Sequence, residues 1–315
     1  MRSRFLLLTL IWGASFLFIK IGVEALAPLQ VAFGRMMFGS LALIAVTIAR
    51  RERLPRQGRI WAHLAVAAAL ANSLPFTLFA YAERQVSSAL ASIGNATVPL
   101  FTLLFALLLL PSERPTVRRA VGLAVGFAGV LVVLGVWRRG VTTGPDVAGM
   151  SLILVAAASY GLSGVYMRRY LSETEYSSLA LSVGQLVVGS LELAVLLPFA
   201  TTMPHHLPAR VVGAIFALGT FGTGVAYVLS YGLIRLAGAT VASTVTYFIP
   251  VVSILIGIVG LGEKLAWNAP LGAVIIVAGA LWSRTSPRAP LVKAVGEEAL
   301  QVAARPGVAD RVAGR

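Results

Sequence analysis

Ten long apolar stretches, separated by short polar or turn-forming breaks, run along the chain at roughly 5–23, 29–49, 60–82, 88–110, 118–136, 148–167, 176–199, 210–233, 239–260 and 267–283. Each holds about 17 to 24 residues, which suits a helix crossing roughly 30 Å of hydrocarbon. Alternation at period two is absent from them, which argues against a membrane β-barrel. Turn-formers or charges end each run: Ala27-Pro28, the arginine-rich segment 50–59, Pro111 to Pro115, Gly140 to Asp146, and Pro204 to Pro208. The pattern predicts an all-α polytopic membrane protein of ten transmembrane helices. The N-terminal Met1-Arg2-Ser3-Arg4 before Phe5-Leu6-Leu7-Leu8 imitates a signal peptide, but the apolar run continues to about Val23 with no small-x-small cleavage site. An uncleaved first span is expected.

The second half repeats the first. Ala91 to Pro99 and Ala242 to Pro250 are both eight residues, Glu113 to Gly122 and Glu263 to Gly272 both nine, and Gly122 to Gly129 and Gly272 to Gly279 both seven. The boundary falls near 142–146. Five spans per repeat is an odd number, so the second repeat sits upside down relative to the first. An inverted 5+5 pair of apolar repeats is the arrangement that permits alternating access to a site near the bilayer midplane. The expected divisions are 1–141 for the first five-helix repeat, 142–284 for the second, and 285–315 for a cytoplasmic tail. That tail mixes charge with Pro, Gly and Ala and is expected to be disordered.

Composition agrees with this reading: 58% of residues are hydrophobic and 12% charged, against about 25% charged in soluble domains. The net charge of +14 would suggest nucleic acid in a soluble protein. Here 19 of the 26 Lys and Arg fall in segments on the N-terminal side of the membrane and five on the other. The bias is a topology signal, with the lipid bilayer as partner, no nucleic acid, and both termini cytoplasmic in a bacterial inner membrane. The chain has no cysteine, so disulfide and thiol chemistry are excluded.

Several short motifs carry a family resemblance. Trp12-Gly13-Ala14-Ser15, Pro28, Arg35 and Ala91-Ser92…Pro99…Glu113-Arg114 resemble the drug/metabolite transporter superfamily, specifically its EamA-type members. Ala242-Ser243…Pro250…Gly262-Glu263-Lys264 resembles the same signature again. The resemblance covers about residues 5–283. It implies two EamA-like five-helix repeats and export of small metabolites, often amino acids, as in YddG-like amino-acid exporters. Another solute class (a drug, sugar or nucleotide-linked metabolite) is the alternative. A phosphorylated substrate would want several inward-facing cations, and the spans offer Arg35 and Lys20.

Polar groups inside a bilayer face the protein interior or a cavity. Trp12, Ser15 and Phe16 in the first span, Asn72 and Phe76 in the third, and Asn95 in the fourth are candidates. So are Tyr160 and Ser163 in the sixth, Thr223, Tyr227 and Tyr231 in the eighth, and Thr246 in the ninth. Asn95 and Thr246 repeat one another, each four residues before Pro99 or Pro250. These six helices are expected to line one cavity, aromatic with a few hydrogen-bonding groups. Ser, Thr and Asn also serve as ordinary interhelical contacts. Pro99 and Pro250 each remove a helical donor and are candidate hinges, with a static kink as the alternative.

Ionisable residues inside spans are functional suspects. Lys20 lies at a span end and can snorkel. Arg35 is deeper, and a structural role is weighed above attraction of a carboxylate. Glu192 is the candidate proton carrier. Glu113 and Glu263, each beside a cation, read as loop-fixing residues. Gly122 and Gly126 form a small-xxx-small pair for close packing. Packing within a monomer is expected, and a dimer would use the same stripe. There is no phosphate loop or complete dinucleotide fingerprint, and His205-His206 has no partner at metal-ligand spacing. No catalytic cluster is evident, so neither an enzyme nor a cofactor or metal is expected.

Overall fold

The computed structural model describes residues 2–110, 116–134, 145–202, 204, 206–230, 232–233, 236 and 245–283. The predicted tail 285–315 and the candidate residues Tyr231, Ala242, Ser243, Glu113 and His205 lie outside them. Ten helices follow in order: α1 Arg2–Gly22, α2 Pro28–Ala49, α3 Gly58–Ala82, α4 Ser88–Leu109, α5 Val117–Leu134, α6 Pro145–Tyr170, α7 Ser178–Ala200, α8 Ala209–Ser230, α9 Val245–Leu261 and α10 Asn268–Trp282. Eight have the length and apolarity to cross a membrane, and α9 and α10 are shorter apolar helices. Many large apolar side chains, among them Leu6, Ile48, Phe199, Val259 and Val274, face outward from the bundle. Hydrocarbon, not water, is the solvent that accommodates them.

With lipid outside, hydrophobic burial does not hold these helices together; close backbone approach does. It is most pronounced between α5 and α10. A Cβ at Gly279 would stand 2.4 Å from the Gly126 nitrogen and 2.7 Å from the Gly122 oxygen. One at Gly129 would stand 2.8 Å from the Ile276 nitrogen. The small-residue stripe read from the sequence is thus used inside the chain, between the last helices of the two halves. Gly161 does the same for α6 against α4, with a virtual Cβ 2.7 Å from the Thr102 nitrogen.

Three helices are irregular at mid-length. In α3 the turn Ala69–Ser73 is π-helical, with the Leu74 N–H bonding the Ala69 carbonyl. In α8 the turn Thr220–Val225 is π-helical, with the Ala226 N–H bonding the Phe221 carbonyl. In α4 the helix breaks between Asn95 and Val98. Pro99 sits in the first turn of the second piece, where its missing N–H costs no helical bond. Pro250, its repeat counterpart, lies inside a continuous α9. The halves have therefore diverged at the position the sequence marks as a shared kink. Irregular backbone at membrane depth is tolerated where it is buried in protein or lines a cavity, and such π-turns are frequent at functional sites.

At one end of the bundle Glu263, in the α9–α10 turn, accepts from the N–H groups of Ser88 at 2.7 Å and Ala89 at 3.1 Å. It caps α4, where the helix dipole favours a carboxylate. Gly262, at φ 65, supplies the left-handed residue that ends α9 and turns the next side chain toward α4. Gly257 leaves room for the carboxylate: a Cβ there would stand 2.4 Å from Glu263 Oε2. The loop-fixing role read for Glu263 is observed, and it ties one repeat to the other. Glu263→Ala leaves two helix-terminal donors unsatisfied, at about 1–3 kcal/mol each. A fall in the thermal unfolding midpoint is expected, with Glu263→Gln intermediate; an unchanged midpoint in both would show that the cap contributes nothing.

Candidate functional site

The two π-helical turns occupy equivalent places in the two halves. Asn72 and Thr223 are each the fourth residue of their turn, and Phe76 and Tyr227 each follow four residues later. In α2 and α7 the eighth residues are Arg35 and Gln185, each preceded by glycine and followed by a second Gly-Ser pair, Gly39-Ser40 and Gly189-Ser190. The bonds between these positions are exchanged between repeats. Arg35 Nε donates to Thr223 Oγ1 at 3.0 Å, and Gln185 Nε2 donates to Asn72 Oδ1. Asn72 Nδ2 in turn donates to the Tyr227 hydroxyl at 3.1 Å. The glycines permit this approach. A Cβ at Gly39 would stand 2.9 Å from Thr223 Cγ2, and one at Gly189 3.0 Å from Ser73 Oγ.

Arg35 is the central charge. Its guanidinium lies 3.7 Å from the centroid of the Phe76 ring, a cation–π contact that fixes its plane. Tyr160 stands edge-on to Phe76 at 6.5 Å and tilted to Phe79 at 6.2 Å, and Phe16 meets Phe79 edge-on at 5.8 Å. Tyr160 and Tyr227 are close enough to Arg35 to interact with its charge. Asn72 and Thr223 are fully buried, but Arg35, Tyr160 and Tyr227 keep accessible surface at the middle of their helices. Among the described residues, Arg35 is hydrogen-bonded through Nε alone. Its two terminal nitrogens are open and presented in a fixed plane.

The remaining candidates divide. Phe76, Asn72, Tyr160 and Tyr227 meet around Arg35. Phe16 is buried behind them against Phe79. Ser15 bonds the Ile11 carbonyl at 3.0 Å and lies beside Gly222 of the α8 turn. Ser163 bonds the Tyr160 carbonyl at 2.7 Å, so both hydroxyls serve their own helices. Trp12 packs between the main core and the cluster formed by Leu8, Ala226, Leu233 and Val245. Asn95, at the α4 break, and Thr246 are half-buried, and neither side chain makes a hydrogen bond among the described residues. Glu192 accepts from Ser73 Oγ at 2.7 Å, beside the α3 turn. Lys20 does not snorkel outward. Its Nζ donates to the backbone carbonyls of Glu83 and, at 2.8 Å, Val86. No group of three His, Cys, Asp or Glu able to hold a metal occurs among the described residues.

Sequence reasoning passed over Gln185, Ser73 and Glu83. The signal for Gln185 was present: it stands where Arg35 stands in the other repeat, between the same glycines. Glu83 reads as a loop residue one position past a span, and nothing in its local sequence announces full burial.

Ten apolar helices in two inverted halves, with a polar, partly accessible centre made by exchanged contacts between them, define a multi-pass membrane transporter. The chain belongs to the EamA-like transporter family, which matches it over residues 4–135 and again over 147–285. It is thus a transporter, not an enzyme. The uncharacterized inner membrane transporter YedA of Escherichia coli K12 is 30% identical over 310 residues, covering 93% of this chain and 94% of its own. The uncharacterized transporter YoaV of Bacillus subtilis is 24% identical over 272 residues, covering 86% and 92%. A solved crystal structure with 20% identity aligns over 88% of this chain and 97% of its own at a TM-score of 0.60, which shows the same fold.

Proposed function

We propose that this chain exports small metabolites, above all amino acids with apolar or aromatic side chains, by alternating access around the mid-bundle site between its repeats, 1–141 and 142–284. The observation that carries the reading is the open guanidinium fork of Arg35 within an aromatic wall. Two parallel N–H donors in one plane match a carboxylate. Tyr160 and Tyr227, which keep accessible surface, offer rings to an apolar side chain, and the buried Phe76 holds the guanidinium plane. Asn95 offers an unspent amide beside a discontinuous helix, the kind of backbone that forms substrate sites in transporters of inverted repeats. A phosphorylated or nucleotide-linked solute would want more cations than this centre holds among the described residues. Pro99, at the α4 break, and Pro250 are the hinges of the reading. The Lys and Arg bias supports both termini in the cytoplasm, and the inner-membrane description of the E. coli relative supports a bacterial inner membrane. The intramolecular use of Gly122 and Gly126 supports a monomer.

Counterflow in proteoliposomes with labelled leucine, phenylalanine and glutamate tests the reading. Saturable exchange of the apolar and aromatic amino acids is expected. Asn95→Ala should weaken it about 2- to 10-fold, the worth of one neutral hydrogen bond. No exchange of any amino acid by folded protein would overturn the substrate assignment and leave the family assignment standing.

A further inference from the structure

Glu83, the first residue past α3, is fully buried, 0% exposed. Among the described residues, neither oxygen of its carboxyl has a hydrogen-bond partner. By contrast Glu192, within α7, has Ser73 as a donor, and Glu263 has two backbone N–H groups. The ionisable groups that reach Glu83 are Lys20 from α1, Glu263 from the α9–α10 turn and Arg35 from α2. The helices α4 and α6 bring none among the described side chains. Lys20 is the natural counter-ion, yet its ammonium is committed to the carbonyls of Glu83 and Val86, at the C-terminal end of α3. An ionised carboxylate without a donor is the most costly form of a buried acid. Burial pushes the Glu83 carboxyl well above the usual carboxylate range, with Lys20 pulling the other way.

Glu83 also sits where the bundle is sealed. The α3–α4 turn is pinned from one side by Lys20 and from the other by Glu263 at the α4 N-terminus. Gly149 of α6 closes against it, with a virtual Cβ 2.5 Å from Val86 and 3.3 Å from the Ala82 carbonyl.

We propose that Glu83 is a proton-binding site of the transporter, carrying its proton while this end of the bundle is closed and exchanging it with water when the end opens. On opening, the carboxylic acid releases a proton to the adjoining aqueous phase and the carboxylate is left paired with Lys20. On closing, the carboxylate takes a proton from that phase before it is buried. Its charge is felt at Arg35, so proton occupancy and carboxylate binding at Arg35 are linked. This last step rests on the proposed amino-acid site; the proton site itself does not.

The test is infrared spectroscopy of the full-length protein in liposomes, wild type against Glu83→Gln. A carboxylic-acid carbonyl band present at neutral pH in wild type, lost in E83Q and shifted but retained in Glu83→Asp, is expected. A difference spectrum showing only ionised carboxylate at neutral pH would overturn the proposal, whatever the substrate. Leucine exchange by liposomes whose inner and outer pH are set separately then reads the coupling. Because the proton leaves to and returns from one phase, the exchange rate should depend on the pH of that phase in wild type and lose the dependence in E83Q. A wild-type rate indifferent to both pH values would overturn the coupling step. If leucine is not moved at all, the infrared bands alone decide whether Glu83 holds a proton, so the two readings fail separately.

Discussion

Replacing Arg35 by Gln is expected to abolish most transport while leaving the fold intact. Among the described residues the arginine makes one side-chain hydrogen bond, to Thr223 of the other repeat, and one ring contact, to Phe76; α2 and α8 also pack through Gly39 against Thr223, so their association does not depend on the guanidinium. Hydrogen bonds to a charged group are worth about 1.5–3 kcal/mol, so losing the fork should weaken carboxylate binding roughly 10- to 150-fold. Arg35→Lys keeps the charge but concentrates it at one point and cannot present two donors in a plane, so it should recover only part of the affinity. Stability should move the other way. A buried charge without a carboxylate partner carries a desolvation cost, and replacing it with a neutral group of similar volume is often neutral or stabilising. Thermal unfolding and leucine counterflow measured on the same Arg35→Gln preparation decide the matter. A large fall in unfolding midpoint together with the loss of flux would mark Arg35 as a structural residue. Full flux would remove it from the site.

Gly279→Ala should be among the most damaging single-methyl changes in the chain. The added Cβ would meet the backbone of Gly126 at 2.4 Å and Gly122 at 2.7 Å. Backbone cannot swing aside as a side-chain tip can, so α5 and α10 must separate. A loss of about 1–3 kcal/mol is expected from such overpacking. Gly213→Ala is the control, because a Cβ there meets nothing within 4 Å, and surface changes of that kind usually stay within about 0.5 kcal/mol. Unfolding midpoints measured at several protein concentrations separate an intramolecular contact from a dimer. The loss in Gly279→Ala should not depend on concentration. A loss that disappears on dilution would place the stripe between chains.

Much of the fold is legible in the sequence because the bilayer imposes simple demands. Length and apolarity place a span, breakers end it, and an odd number of spans in each repeat inverts the second copy. The observed helices keep to the predicted stretches, although α4 and α9 show how far a shared Pro can diverge in effect. The sixth span is longer than its apolar run, continuing to Tyr170, because Tyr166 and Tyr170 pack with His63 of α3. The Tyr166 hydroxyl lies 2.7 Å from His63 Nδ1 and the Tyr170 ring stacks on the imidazole. That contact is made across more than a hundred residues and leaves no local signature.

The centre of the bundle divides the same way. Aromatic and amide residues at helical spacing in α3, α6 and α8 point to one interior face, and Phe76, Asn72, Tyr160 and Tyr227 do gather there. What joins them is not a spacing. Arg35 reaches Thr223, and Gln185 reaches Asn72, because each π-helical turn shifts the register of its helix and a glycine of the other repeat lets it come close. Those are relations between halves, set by packing. Sequence by itself determined that this is a duplicated, inverted bundle of helices for a membrane, since apolar length and internal repetition are properties of the chain alone. Tertiary structure decided which polar groups are paired, which are open and which are stranded. Among the described residues Arg35 keeps both terminal nitrogens unspent and the Glu83 carboxyl meets no partner, because donor, acceptor and solvent are supplied by residues far away in the sequence.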